Sequence, residues 1–134
     1  MLSVMGAARA DGPDPITLRQ TGMDLNAGTF AWVKAVVTAK GDVKPLENAG
    51  KALARWSTVF PALFPPGSDK GGDTKALPEI WSDSAGFKKD AETFGAAATK
   101  LASDAKAGDA DAVAADFKSV GEACGACHKA YRAK

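Results

Sequence analysis

The chain has 134 residues, 46% of them apolar, which is enough for one domain with a core of its own. Its 17 basic and 16 acidic side chains nearly cancel. That balance excludes the broad positive field that nucleic acid or an anionic membrane would require. Ala, Lys and Asp are abundant, and β-branched alternating runs are scarce, so the expected class is all-α.

Residues 1–10 are small and apolar and end in Ala8-Arg9-Ala10, the small-x-small form of a signal-peptidase site. They read as the remnant of an export signal, although a basic n-region and a full apolar run are missing. A short leader or a start codon set too far downstream is the other reading. Residues 11–134 form the expected single domain, and no run is long enough to span a bilayer.

Ile16, Met23, Phe30 and Val37 recur every seven residues, with Ala27 and Val33 on the same side, which marks a first amphipathic helix. Asp14 is its expected cap, Pro15 suits its first turn, and Gly41 is the expected stop. Leu46, Ala49, Leu53, Trp56 and Phe60 mark a second helix, with Asp42 as cap and Pro45 in the first turn. Pro61 ends it. From Pro61 to Leu77 the prolines and glycines predict a long connection.

A third stripe, Ile80, Ser84, Phe87, Ala91, Phe94, Ala98, Leu101 and Ala105, predicts one unbroken helix from Pro78 to Gly108. The fourth runs Val113, Phe117, Val120, Cys124, Cys127, Tyr131, with Asp109 or Asp111 as cap. Four helices of about 20 to 28 residues with short first and third links predict an antiparallel up-down-up-down four-helix bundle. Gly86, Gly95 and Gly121 lie inside helical stretches and predict close approaches of a neighbour or a ligand.

Cys124-Gly125-Ala126-Cys127-His128 carries the chemistry. Two thiols three residues apart can each add across one vinyl group of a haem, and the histidine that follows reaches the iron. These are the only two cysteines and the only histidine in the chain. A structural zinc site needs four ligands, and a thioredoxin-like pair needs a βαβ setting, so both fit poorly. A local disulfide would leave His128 without a purpose. The bundle is therefore expected to enclose one covalent haem c per chain.

With this motif on the last of four helices, the sequence resembles the cytochrome c′ family of class II c-type cytochromes. Arg19-Gln20, Leu63-Phe64-Pro65 with its Gly-rich loop, Pro78-Glu79-Ile80-Trp81 and His128-Lys129-Ala130-Tyr131-Arg132 carry the resemblance. It implies His128 as proximal iron ligand and Met23 on the distal side of the iron. A Met23 thioether bound to iron would make a low-spin, one-electron carrier with His/Met axial ligands. That is the preferred expectation. A Met23 that only packs would leave a five-coordinate iron able to bind nitric oxide or carbon monoxide.

The resemblance also implies a haem propionate as partner for Arg19 and Gln20, against a solvated arginine, and places Glu79 and Trp81 at the haem edge. Trp81 fits equally as a core aromatic. Arg132, one turn after His128, either covers the imidazole or pairs with a carboxylate. A peroxidase-type enzyme would need a distal acid-base group, and the one histidine is already committed, so no enzymatic turnover is expected. The implied location is periplasmic, with redox proteins as partners. Thr29, Ala31, Trp32 and Ala35 lie off the main stripe of the first helix, and with the family's habit they suggest a homodimer through that helix.

Overall fold

The computed structural model describes residues 12–134. The expected export-signal remnant at 1–10 lies outside the described residues. The chain folds as an antiparallel four-helix bundle, with helices α1 (Pro15–Thr38), α2 (Leu46–Val59), α4 (Ser84–Ala107) and α5 (Ala110–Tyr131), and one short helix, α3 (Glu79–Ser82). Among the described residues no helix is long and apolar enough to cross a membrane.

Helix α1 begins as its sequence dictates. The Asp14 carboxylate accepts a hydrogen bond from the Thr17 amide at 3.1 Å, and Pro15 occupies the first turn. Its end differs from expectation. The left-handed residue is Lys40, at φ 52°, and the amides of Lys40 and Gly41 donate to the carbonyls of Val37 and Val36. This is the paired Schellman closure, with Gly41 one step beyond the position that needs positive φ.

Helix α2 is shorter than its stripe suggests. It stops at Val59, and Phe60–Leu63 continue as a 3-10 turn that accommodates Pro61. Asp42 does not cap it; the carboxylate accepts instead from Lys44 N at 3.0 Å within the connecting turn. The expected unbroken third helix is also corrected. Asp83, at φ −123° and ψ 54°, interrupts it, and its carboxylate caps α4 through Gly86 N at 3.2 Å. The same carboxylate accepts the Tyr131 hydroxyl at 2.8 Å, so a contact from α5 holds the break that periodicity alone would smooth over. Ser84, assigned to the stripe, is exposed as a result.

Helix α4 is the centre of the bundle and packs along both α2 and α5, whereas α1 touches its neighbours more sparsely. Leu46, Leu53, Leu101, Val113 and Val120 are fully buried. A β-carbon on Gly50 would stand 2.8 Å from Ala102 Cα, so α2 and α4 meet nearly backbone to backbone there. Gly95 admits the Ser57 side chain in the same way, and Gly121 faces Phe30. The α1 to α5 contact is aromatic, with Phe30 stacked on Phe117 at 4.7 Å between ring centroids.

The 64–78 loop folds back onto the bundle. Leu77 N donates to Tyr131 O, and Ala133 N to Lys75 O, so the loop and the end of α5 are tied into one unit.

Candidate haem site

The sparse packing of α1 leaves a cavity of about 640 Å³ between it, the loop and the C-terminal half of α5. Cys124, Cys127 and His128 line it from α5, and Met23 and Ala27 from α1. Trp56, Phe60, Phe64, Phe87 and Phe94 give it an aromatic wall. Phe60, Phe64, Phe87 and Tyr131 form a chain of edge-to-face contacts with centroids 5.0 to 5.8 Å apart. Charged side chains, among them Arg19, Asp24, Asp73, Asp90 and Arg132, line the cavity as well, so it suits a flat prosthetic group with an apolar body and a polar edge.

Neither cysteine is in a disulfide, and both are half-buried. Burial pushes the Cys124 thiol up, and burial with the nearby Asp90 charge pushes Cys127 up to about 11. Among the described residues there is no cluster of three or more His, Cys, Asp or Glu side chains able to hold a metal ion. Burial, then the Arg132 charge, lowers His128 from its ordinary value, which keeps the imidazole neutral and its nitrogen free to donate to a metal. The donor set and the apolar walls fit a covalent haem.

Arg19 is only 4% exposed, so it is no solvated arginine. Its Nη1 donates to Leu63 O at 3.0 Å and Ser68 Oγ at 2.8 Å, and its Nη2 to Ser68 O at 2.7 Å and Thr74 Oγ1 at 2.8 Å. The guanidinium carbon sits 4.3 Å from the Phe64 ring centroid. A guanidinium has five N–H donors, so these four bonds leave Nε alone for any other acceptor. Burial lowers its pKa, partly offset by Asp14. The loop is thus a partner of this charge. Gln20 does the same at the surface, its Nε2 donating to Gly72 O at 3.0 Å.

Arg132 lines the cavity beside His128, and its backbone pairs with Ala76 of the loop. Glu79 and Trp81 do not line the cavity. Glu79 is exposed in the first turn of α3, and Trp81 lies behind Phe64, donating from Nε1 to Phe64 O at 3.0 Å. Its ring meets that of Phe64 edge to face, with centroids 6.1 Å apart. The sequence reading assigned Trp56, Phe60, Phe87 and Phe94 to helix stripes. Their recurrence at one end of the bundle was the available signal that they wall a site.

A four-helix bundle that presents a Cys-x-x-Cys-His face to an aromatic cavity defines the class of bundle cytochromes. The family model described as Cytochrome C' matches residues 14–132. A cytochrome c′ of Alcaligenes xylosoxydans xylosoxydans is 39% identical over 90% of this chain and 94% of its own length. Among solved structures, cytochrome c′ from Thermochromatium tepidum has a TM-score of 0.85 at 34% identity, covering 93% of this chain and all of that one. The nitric oxide complex of a mutant cytochrome c prime from Alcaligenes xylosoxidans has a TM-score of 0.80 at 37% identity, covering 90% and 94%. The chain belongs to the cytochrome c′ family, and its cofactor is haem c.

Proposed function

We propose that this protein is a periplasmic cytochrome that binds a diatomic gas such as nitric oxide or carbon monoxide at a five-coordinate haem. Cys124 and Cys127 hold the haem covalently, His128 is the proximal ligand, and Met23 is an apolar distal neighbour. The haem iron supplies the ligand-binding and one-electron chemistry. The chain's own residues orient it, exclude water and limit what reaches it.

The observation that carries this reading is the packing of Met23. Its side chain is partly buried against the core cluster and forms part of an apolar cavity wall, in the same cavity as His128. A thioether fixed by packing serves as a steric neighbour without needing to bond. The nitric oxide complex of the Alcaligenes relative supports the same choice over His/Met ligation. An electron carrier with Met23 as sixth ligand is the second reading, because among the described residues Met23 is the one methionine in the cavity wall. Neither reading involves turnover of an organic substrate.

Arg19 and Gln20 act here by clamping the 63–74 loop over the site, and only Arg19 Nε remains for a haem propionate. Arg132 shields the proximal imidazole. Leu18, Leu25 and Trp32 recur every seven residues on α1 and are 38%, 70% and 45% exposed, an apolar stripe suited to a homodimer through this helix. Sedimentation as a monomer at high concentration would overturn that interface.

The visible spectrum of the reduced protein, with and without carbon monoxide, tests the reading. A high-spin spectrum that shifts on adding the gas is expected. A low-spin spectrum that turns high-spin in Met23→Ala would establish the electron-carrier reading instead. A mass lacking one covalent haem per chain would overturn both.

A further inference from the structure

Helix α4 contributes three side chains to the cavity wall, Phe87, Asp90 and Phe94. Their spacing of three and then four residues is that of one helix face, so a carboxylate stands where a core-facing stripe calls for another apolar group. Both phenylalanines are 5% exposed, and Phe87 packs edge to face against Phe60, Phe64 and Tyr131. The backbone that carries Asp90 is thereby held about one turn to either side.

Solvent screens the charges in this wall unequally. Asp24, Asp73, Lys75 and Arg132 are exposed, and Arg19 is buried but donates to the loop from both terminal nitrogens. Asp90 is the one carboxylate among the lining residues that is half-buried. Its charge is felt on the next helix, where it contributes to the upward displacement of both the Cys127 thiol and the Tyr131 phenol. A charge partly withdrawn from water is cancelled less by solvent dipoles and salt than one in bulk solvent. A negative charge held in the wall of a haem site favours the oxidation state with more positive charge, which is Fe(III).

We propose that Asp90 tunes the reduction potential of the bound haem, holding it below the value that an uncharged α4 wall would give. The inference requires only haem c attached in this cavity. It stands whether Met23 bonds to the iron or packs beside it.

The test is a spectroelectrochemical titration of the holoprotein, reading the ratio of reduced to oxidised haem at one fixed applied potential. Asp90→Asn keeps the size and removes the charge, and the ratio is expected to rise by about tenfold. Asp90→Lys should raise it further, while Asp90→Glu, which keeps the charge, should stay near wild type. Glu92→Gln removes an exposed carboxylate of the same helix from outside the cavity wall and should leave the ratio almost unmoved. Asn and Glu variants that shift alike would show that fit rather than charge matters, and would overturn the proposal. So would an Asn variant with the wild-type ratio, or an equal shift in Glu92→Gln, which would trace the effect to net charge. Where Asp90→Asn takes up no haem, Asp90→Ser is read in its place. Wild type without covalent haem, which a mass spectrum reports separately, would overturn the attachment itself and the proposal with it.

Discussion

The two ends of the bundle solve different packing problems. Away from the haem motif, Leu46, Ala98, Leu101, Ala105 and Val113 fill the space between α2, α4 and α5, and each has no accessible surface. Small residues let the helices close, as where Gly50 meets Ala102. At the other end the side chains are aromatic, the helices stand apart, and a cavity of about 640 Å³ remains. One half of the core is completed by the chain itself, and the other is shaped for a group the chain must acquire. Stability and function are thereby separated along one bundle axis.

Truncation at the closed end should produce the largest effect on stability. Leu101→Ala is expected to cost about 2–5 kcal/mol, because close-packed helices relax little around the void. Denaturant unfolding measures it, and a loss as small as that from an exposed site would break the distinction between the two ends.

At the cavity end the cost should fall on order near the haem site. Arg19→Ala leaves the carbonyls of Leu63 and Ser68 without their buried donor, with an expected loss of about 1–3 kcal/mol. The more specific expectation is protease cutting within residues 64–74 while the helices stay protected. Cleavage spread evenly over the chain would show that the loop is not a separately clamped unit.

The smallest effect concerns the polar exception in the closed half. Asp116 is 4% exposed; its Oδ1 lies 3.1 Å from Lys100 Nζ, and its Oδ2 has no partner. Burial, and then the neighbouring Asp104 carboxyl, raise its pKa, while Lys100 lowers that of Asp104. For Asp116 the folded state holds its proton more tightly than the unfolded state does. Its contribution is therefore present at low pH and lost as pH rises from the ordinary carboxylate range through the raised value. Asp104 works in the opposite sense, losing its contribution as pH falls. Asp116→Asn should therefore gain in thermal midpoint relative to wild type as pH rises through that window. A constant difference across pH would contradict the assignment.

Much of the fold was legible because helices announce themselves locally. Asp14-Pro15, Asp109 and Gly108 mark ends through groups that interact within one turn, and those ends appear where the sequence placed them. The errors arose where a distant group intervenes. Asp83 breaks the third stripe because Tyr131 reaches it from α5. Glu79 and Trp81, which the resemblance places at the haem edge, sit on the short α3 outside the cavity lining.

By itself the sequence determined the helical class, the four stripes and the Cys124-x-x-Cys127-His128 chemistry, since each depends on spacing along one chain segment. Tertiary structure alone decided that the charge of Arg19 is spent on the loop, that Trp56 lies on Gly22, and that one cavity joins Met23 to His128. Those facts rest on contacts between residues tens of positions apart, and no local periodicity encodes which donors and rings will meet.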